Sequence, residues 1–554
     1  MAAGDALVSA RSAGDARTSR LRRPARAQHR RLSEAAGMPP VTHGDVRVER
    51  DLPVVSGDGT VLRTDHWFPV NAGGASVLIR TPYGRRAGAG LATFLAERGH
   101  HVVVQSCRGT FGSGGVFDPL HHEAADGQAA LAWIRAQSWA TGPVHAFGFS
   151  YVGLTAWALC DGDDRPDAMV IGASSRRFDE SIVYPGGGFA METTVVWPYA
   201  LDVQEMPVPV RLWRFLTARR RVAKGCLAIP PENAMTVAIG HRVPFFEDWL
   251  AHASPGDPWW EPLHFGDREG SVPPVTLLAG WQDLFLLGGF ADYRALRERG
   301  VPVRLIVGDW THDQGEEPEA IGARELLRAL DGEPATGSPL RIQVTGGPGW
   351  RDLEDWPPPA QDSRWYPTAA GSLADAPIAG QVSYRYDPAD PTPEAGGRTL
   401  NPFASGRRDQ REREQRDDVL VFTGAPLERD LTVIGEPDVE VRVSSTNPRV
   451  DLFLRLCDLG PDGVSHTVAD GYLRLRPEVA AGEERSATVR LAPMAHRFAA
   501  GRRIRLQLSS GAHPLHLRNP GTPDPLHDFS ALVPSDQTVR FGEGTVLRLP
   551  VVAS

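Results

Sequence analysis

The stretch His145–Gly153, with the sequence HAFGFSYVG, decides how the first half of this chain folds. The apolar run 144–149 predicts a buried strand, and the segment 151–160, which follows Ser150, has the spacing of a helix. A serine in such a strand-to-helix turn stands above the strand end, beside the unpaired N–H groups that begin the helix. It is therefore suited to act as a nucleophile. Serine also caps helices well, so the stretch alone leaves a structural role equally open.

The glycines around this serine depart from the Gly-x-Ser-x-Gly pattern that nucleophilic serines often follow. Gly148 precedes Ser150 by two residues, but Val152 occupies the second glycine position and the next glycine is Gly153. No strict Gly-x-Ser-x-Gly occurs in the chain. A small residue in this turn lets the strand and the helix approach each other. We expect Gly148 to meet that need before the serine and Gly153 to meet it afterwards.

Strands and helices alternate on both sides of this stretch. Predicted strands lie at 75–80, 101–106, 144–149, 167–174, 274–281 and 301–308. Predicted helices lie at 91–100, 122–137, 151–160 and 288–300. This alternation indicates a mostly parallel sheet that is covered by helices on both faces.

Changes of pattern divide the chain into five parts. Residues 1–45 are rich in arginine and poor in large apolar residues, which predicts a disordered tail or an over-long gene reading. The α/β core comprises residues 46–176 and 266–336, and the intervening residues 177–265 form a helical insertion. Such an insertion is typical of a lid over an active site, although it can also extend the core packing. Short strands separated by turns predict an antiparallel β-sandwich or jelly roll over residues 337–554.

Two polar residues follow later core strands in the way that Ser150 follows its own. Asp283 comes after the strand TLLAGW, and His312 comes after the strand RLIVG. Serine, acid and histidine in this chain order, each at a strand end, predict a nucleophile with its base and orienting acid. Asp283 can instead stabilise a turn, and His312 can lie on the surface. Asp309 and Asp313 flank His312 and are rival acids.

Catalysis at Ser150 also needs donors for the negative charge that develops on the carbonyl oxygen of the substrate. The turn supplies one donor, the backbone N–H of Tyr151. The loop Arg80–Gly84 after the first core strand carries Tyr83, whose hydroxyl is a candidate for the second donor. Loss of one donor typically costs roughly 3–4 kcal/mol of barrier, so a second donor is expected. An aromatic ring packed beneath the loop is the alternative interpretation of Tyr83.

Composition limits the partners of the chain. The net charge of −9 disfavours nucleic acid, and no run approaches the roughly 18 apolar residues that a membrane-spanning helix needs. The 4 cysteines form no Cys-x-x-Cys pair, which predicts reduced thiols and a cytoplasmic location. No His, Cys and Glu cluster has the spacing of a zinc site. We expect a small-molecule ester or amide as partner, no nucleic acid, no membrane, and no metal or organic cofactor, with self-association left open.

Together these motifs resemble those of the cocaine-esterase-like (CocE/NonD) serine hydrolases, which are related to X-prolyl dipeptidyl peptidases and α-amino acid ester hydrolases. The matching segments are 148–153 (GFSYVG), 82–83 (PY), 108–115 (RGTFGSGG), 280–283 (GWQD) and 310–312 (WTH). The C-terminal stretches DLFLRLCDLGPDG, DGYLRLR and SSGAHPLHLRNPGT also resemble that family. The resemblance covers most of the chain and implies an α/β-hydrolase core with an inserted helical cap, followed by an all-β jelly-roll domain.

The resemblance also implies roles for single residues. It makes the Tyr83 hydroxyl an oxyanion donor and places Phe285 in the wall of the acyl pocket. Cys107 stands where the family has an aspartate before Arg108, so the loop lacks its usual support. Amino acid ester hydrolases carry acids shortly after the catalytic aspartate, whereas residues 284–286 here are Leu, Phe and Leu. An apolar pocket disfavours a substrate with a free α-amino group, because a desolvated cation needs a partner.

The sequence therefore predicts a serine hydrolase that cleaves carboxylic esters through an acyl-enzyme on Ser150, with an apolar or aromatic acyl group. Amide acylase, X-prolyl dipeptidyl peptidase and acyltransferase activities are alternatives within the enzyme class, and a catalytically inactive binding protein is the alternative outside it. Aromatic residues of the cap either line the acyl pocket or pack in the core. They are Trp197, Phe245, Phe246, Trp249, Trp259 and Trp260.

Overall fold

The computed structural model describes most of the chain. The described residues are 19–20, 38, 40–70, 73–253, 256–313, 315–333, 337–475 and 479–553. The prediction of a disordered or over-long tail over residues 1–45 concerns residues that lie mostly outside these ranges. Within its described part, Ser19–Arg20 form a short strand that pairs antiparallel with Arg47 and Val48.

Within the described residues, an eleven-stranded sheet forms the first half of the protein. Its strands are β1 (Ser19–Arg20), β2 (Val46–Val55), β3 (Val61–Pro69), β4 (Ser76–Thr81), β5 (His101–Ser106), β6 (Val144–Phe149), β7 (Ala168–Gly172), β8 (Val275–Gln282), β9 (Val303–Thr311), β10 (Leu340–Val344) and β11 (Gly349–Leu353). Their order across the sheet is β1-β2-β3-β5-β4-β6-β7-β8-β9-β10-β11. Neighbours from β5 to β10 run parallel, as the alternation of strands and helices predicts.

Helices cover both faces of this sheet. The α-helices of the described chain are α1 (Ala89–Ala96), α2 (Glu123–Arg135), α3 (Tyr151–Trp157), α4 (Met191–Gln204), α5 (Val208–Cys226), α6 (Ala234–Ile239), α7 (Pro244–Ala251), α8 (Leu286–Glu298) and α9 (Glu316–Leu330). Alternate residues of β4 face opposite sides, so Val77 and Ile79 pack with α1 and α9. Leu78 packs in the cluster that contains α2, α3 and α8. None of the helices in the described ranges has the length and apolar character needed to cross a membrane.

Helices α4 to α7 lie in the insertion between β7 and β8 and form a cap on the core. Their apolar side chains, such as Val195, Met235 and Phe246, belong to the same buried cluster as Tyr151 and Phe285. The cap is therefore packed onto the carboxyl edge of the core sheet, where residues that follow the strands come together.

The second half of the protein is all-β. Its strands are β12 (Gln361–Pro367), β13 (Leu373–Ala374), β14 (Gly380–Tyr386), β15 (Leu420–Thr423), β16 (Leu431–Gly435), β17 (Asp438–Ser445), β18 (Asp451–Leu459), β19 (Ser465–Arg474), β20 (Arg485–Arg490), β21 (Met494–Phe498), β22 (Arg503–Ser509), β23 (Ser535–Phe541) and β24 (Val546–Val551). Strands β15, β22, β18 and β19 form one sheet, and the other nine form the second. Val441 of β17, Leu454 of β18 and Leu506 of β22 meet in one buried core. The predicted fold class, an α/β-hydrolase core with a helical cap and a jelly-roll domain, is confirmed.

Two strands that follow the predicted boundary at residue 337 join the core sheet. The sequence placed the start of the β-domain at residue 337, but β10 continues the core sheet, where Leu340 pairs with Leu305 of β9. Strand β11 then pairs with β10. A short alternating strand shows which of its faces is buried, but not which sheet it joins.

The turn at Ser150 forms although Val152 replaces the usual glycine. Ser150 has φ 57° and ψ −130°, a backbone conformation that residues with side chains rarely adopt. A Cβ on Gly148 would lie 2.1 Å from the carbonyl oxygen of Val152, and one on Gly153 would lie 2.6 Å from the Cβ of Ser174. Gly148 therefore permits a close approach of backbone within the turn, and Gly153 permits the helix to pack against the Ser174 side chain. The Val152 side chain causes no conflict, because it packs against the apolar cluster on the α1 and α9 face.

The variant Gly148→Ala is expected to lower the free energy of unfolding by about 1–3 kcal/mol, because its methyl group would overlap the Val152 carbonyl. The midpoint of urea unfolding measures this effect. Gly44→Ala is the control, since a Cβ at Gly44 meets nothing within 4 Å. Equal midpoints for the two variants would show that the turn has room for a side chain.

Candidate active site

Ser150, Asp283 and His312 meet at the carboxyl edge of the core sheet. They follow β6, β8 and β9 respectively, and only β7 lies between β6 and β8 in the parallel part of the sheet. Parallel strands end at the same edge, so the three side chains converge although 162 residues separate Ser150 from His312.

Hydrogen bonds join the three side chains in one line. The Nε2 atom of His312 lies 3.0 Å from the Oγ of Ser150, and its Nδ1 lies 3.0 Å from the Oδ2 of Asp283. Asp283 is buried, and its other carboxylate oxygen accepts the backbone N–H of Phe285 at 2.7 Å. In this arrangement the imidazole can take the serine proton while the carboxylate fixes the orientation of the ring.

Two opposing effects set the pKa of His312. Burial disfavours the imidazolium and lowers the pKa, whereas the Asp283 carboxylate raises it, with a smaller contribution from Asp313. The balance holds the pKa of His312 above its usual value. The ring is therefore a stronger base than an isolated imidazole, which suits it to withdraw a proton from a serine hydroxyl.

The rival acids Asp309 and Asp313 do not occupy the position beside the ring. Asp309 is paired with Arg407 at 3.2 Å. Asp313 is exposed on the loop after β9, and the Nδ1 atom of His312 is bonded to Asp283 instead. Asp309 lies within β9, and the acid that meets the ring comes from the end of the neighbouring strand β8.

Tyr83 is held beside the serine by a residue of the cap. The indole Nε1 of Trp197 in α4 donates a hydrogen bond to the Tyr83 hydroxyl at 2.9 Å. Burial raises the pKa of Tyr83 to about 12, and hydrogen bonding with Trp197 and Ser150 opposes part of this rise. The phenol consequently stays protonated near neutral pH, and its oxygen already accepts from Trp197. Its own proton is available to a second acceptor.

Tyr151 has two separate roles: its side chain is part of the core, and its backbone N–H is a candidate oxyanion donor. Its hydroxyl accepts the backbone N–H of Leu120 at 2.9 Å and donates to the Glu123 carboxylate at 3.0 Å, which fixes the ring in the core. Its backbone N–H opens helix α3, where the helix itself supplies no acceptor. Immediately after Ser150, this N–H is placed to serve an oxygen bound at the serine.

The loop after β5 is supported without an aspartate at position 107. Arg108 donates to Asp126 of α2 from Nη2 at 2.7 Å and from Nε at 3.1 Å, and to Asp58 from Nη1 at 2.6 Å. Cys107 is buried, and burial raises the pKa of its thiol well above the usual value. Arg108 is thus held by carboxylates from α2 and from the turn between β2 and β3.

A small apolar cavity opens at Ser150 between the core, the cap and the β-domain. Its volume is ≈ 30 Å³, and its walls include Phe178, Trp197, Trp249, Phe285 and Leu400. The ring of Phe285 stacks on the imidazole of His312 with centroids 5.7 Å apart. Other cap aromatics pack against neighbouring rings rather than lining this cavity. They are Phe245, Phe246, Trp259 and Trp260.

Leu400 reaches the cavity because a carboxylate of the cap holds its neighbours. Glu192 of α4 is buried and accepts hydrogen bonds from the Thr399 hydroxyl and, at 2.8 Å, from the Asn401 amide. These contacts fasten the segment 399–401 of the β-domain to the cap. Sequence reasoning missed Glu192 and Leu400, since contacts between residues 207 positions apart leave no local pattern.

The variant Glu192→Ala is expected to release the segment 399–401, because Thr399 and Asn401 lose their shared acceptor. Amide hydrogen exchange of a peptide spanning residues 397–405 should become faster, and the free energy of unfolding should fall by about 1–3 kcal/mol. The exposed cap residue Glu261 provides the control variant Glu261→Ala. Unchanged exchange in this peptide would mean that other contacts hold Leu400 in place.

Comparison with known proteins gives a consistent assignment for both halves of the chain. Residues 58–314 match the family model described as X-Pro dipeptidyl-peptidase (S15 family). Residues 335–545 match the model described as X-Pro dipeptidyl-peptidase C-terminal non-catalytic domain. The chain is also similar to a cocaine esterase from Rhodococcus sp. (strain MB1 Bresler), with 29% identity over 541 residues that cover 86% of this chain and 93% of that protein.

Solved structures share the fold at low sequence identity. An aminopeptidase from a marine sediment archaeon, Thaumarchaeota archaeon, has a TM-score of 0.78 and 21% identity and covers 93% of this chain and 98% of its own. A CocE/NonD family hydrolase from Staphylococcus aureus has a TM-score of 0.68 and 16% identity and covers 92% of this chain and 94% of its own. Two family models together match most of the chain, and a relative covers 86% of it, so the protein is a CocE/NonD-like serine hydrolase.

Proposed function

We propose that this hydrolase cleaves carboxylic esters through an acyl-enzyme on Ser150. The observation that carries the proposal is the pair of 3.0 Å contacts that join Ser150 to His312 and His312 to Asp283. A neutral imidazole between a hydroxyl and a buried carboxylate can accept the hydroxyl proton while the carboxylate stabilises the imidazolium that forms.

The reaction then proceeds in two acyl transfers. His312 removes the proton of Ser150 as the serine oxygen attacks the ester carbonyl, and the oxyanion is stabilised by the Tyr151 N–H and the Tyr83 hydroxyl. When the carbon–oxygen bond of the ester breaks, the imidazolium of His312 returns its proton to the departing alcohol. A water molecule, deprotonated by the same imidazole, attacks the acyl-enzyme and releases the acid, which restores Ser150.

The walls of the catalytic cavity favour an apolar acyl group. Among the described residues that line it there is no carboxylate, and Leu284 and Phe285 follow Asp283 directly. A substrate with a free α-amino group would leave a desolvated cation without a partner, which disfavours release of N-terminal dipeptides. The volume of ≈ 30 Å³ admits about two water molecules, so an aromatic acyl group requires Trp197 and Trp249 to move apart. A linear acyl chain requires a smaller displacement of these two side chains.

The nucleophile is tested with a fluorophosphonate probe and with Ser150→Ala. Wild-type protein should be labelled and Ser150→Ala should not, and the variant should hydrolyse p-nitrophenyl esters at least about a thousandfold more slowly, because serine and base act as a unit. Ser138→Ala is the matched control, since Ser138 is exposed on the loop after α2. Labelling of Ser150→Ala would place the nucleophile elsewhere.

The preferred substrate class is tested with a panel of p-nitrophenyl esters, p-nitroanilide amides and Gly-Pro-p-nitroanilide. The apolar cavity predicts the highest kcat/KM for esters of aliphatic acids. Turnover of Gly-Pro-p-nitroanilide alone would overturn the ester proposal in favour of peptidase activity.

The variant Tyr83→Phe removes the proposed side-chain oxyanion donor and retains the ring. We expect kcat to fall by roughly 10²–10³-fold with a smaller change in KM, because the lost hydrogen bond acts in the transition state. Tyr366→Phe in the β-domain is the control. A kcat equal to that of the wild type would exclude Tyr83 from the mechanism.

A further inference from the structure

A second and larger cavity adjoins the catalytic cavity. Its volume is ≈ 610 Å³, and it lies between the cap, helix α8 and the β-domain. The two cavities share three wall residues, Ile182, Thr193 and Leu284. Neither Ser150 nor His312 lines the larger cavity, so it is placed to receive the part of a substrate that is farthest from the bond to be cleaved.

The larger cavity is apolar near the shared wall and charged farther away. Leu284 and Leu287 line the near part, and charged side chains of α8 and the β-domain line the rest. Two of its arginines are matched by carboxylates. Arg294 lies 2.5 Å from Glu436, and Arg398 lies 2.8 Å from Asp470.

Arg490 gives the larger cavity an excess of positive charge. It is exposed at the end of β20 and makes no ion pair with another described residue. Three arginines therefore face two carboxylates in the described lining. A cavity with apolar walls and one unmatched guanidinium favours an anionic group, and a carboxylate fits the planar fork of arginine.

A buried histidine in the same wall lacks a partner. His516 is 6% exposed and stacks on Tyr472 with ring centroids 3.9 Å apart. Its Nδ1 atom is buried without a hydrogen-bond partner among the described residues. Burial lowers the pKa of His516 to about 3, so the imidazole is neutral and retains one N–H to donate. Because Nδ1 is shielded from the cavity, it cannot itself bind a ligand there, and the His516 ring serves as part of the cavity wall.

We propose that the larger cavity binds the far end of an elongated acyl group that terminates in a carboxylate. The inference rests on the proposed ester hydrolysis at Ser150. The methylene chain crosses the wall that the two cavities share, at Ile182, Thr193 and Leu284, and its terminal carboxylate is bound near Arg490. The substrate class is then the half-ester of a linear dicarboxylic acid, and hydrolysis consumes one water and releases an alcohol and the dicarboxylic acid.

Two series of esters test this specificity. Mono-p-nitrophenyl esters of linear dicarboxylic acids of increasing length are compared with p-nitrophenyl esters of the same lengths that end in methyl. Short carboxylate-ended esters should be poor substrates, because their charge lies against the apolar walls of the catalytic cavity. Beyond the length that reaches the larger cavity, their kcat/KM should exceed that of the methyl-ended esters. Preference for methyl-ended esters at every length would overturn the proposal.

The variant Arg490→Gln tests whether the larger cavity causes the preference for carboxylate-ended over methyl-ended esters. It should lower the ratio of carboxylate-ended to methyl-ended kcat/KM about fivefold at the best length, as expected for one partly exposed ionic contact. Arg490→Lys should retain part of the ratio, and Arg364→Gln, at an exposed arginine of β12, should leave the ratio unchanged. An unchanged ratio in Arg490→Gln would overturn the assignment.

A binding measurement separates this proposal from that of ester hydrolysis. Calorimetric titration of Ser150→Ala with linear dicarboxylates should show one site whose Kd rises about fivefold in Ser150→Ala/Arg490→Gln. Binding without ester turnover in the wild type would support the cavity and overturn the proposed ester hydrolysis. Ester turnover without dicarboxylate binding at any chain length would overturn the cavity proposal alone.

Discussion

The backbone of Ser150 is the constraint on which the candidate site depends. A residue with a side chain at φ 57° carries strain of about 1–3 kcal/mol, which the surrounding structure must offset. The Ser150 N–H donates to the Gly172 carbonyl at 3.0 Å, and the Ser150 carbonyl accepts from the N–H groups of Gly153 and Leu154. These bonds fix the turn on both sides. The hydroxyl is thereby held at the sheet edge where Asp283 and His312 also arrive.

All three parts of the protein contribute to the surroundings of that hydroxyl. The core supplies the serine, the acid and the histidine, the cap fixes Tyr83 through Trp197, and the β-domain contributes Leu400. The buried carboxylate of Glu192 links the cap to the β-domain segment that carries Leu400. The parallel sheet therefore positions the three polar side chains, whereas contacts between the core, the cap and the β-domain shape the cavity beside them. The jelly-roll domain therefore contributes a wall of the cavity at Ser150.

The fold and the reacting groups were largely predictable because they follow local rules. Strands at 144–149 and around Asp283 and His312 are read from apolar runs, and parallel strands bring their following residues to one edge. Whether the turn could accommodate the Val152 side chain was not predictable, because the space beside this side chain is set by helices α1 and α9. The sheet to which 340–353 belongs was equally hidden, because alternation does not specify the neighbouring strand.

The sequence by itself determined the order of the elements, the nucleophile turn at HAFGFSYVG and the family to which its motifs point. Tertiary structure decided which acid meets His312, what holds Tyr83, and how Glu192 and Leu400 complete the catalytic cavity. It also placed Arg490 and His516 around a second cavity beyond Leu284. The physical reason is the range of the interactions: backbone conformation and apolar periodicity act over a few residues. Hydrogen bonds, ion pairs and cavity walls instead join side chains that only the folded chain brings together.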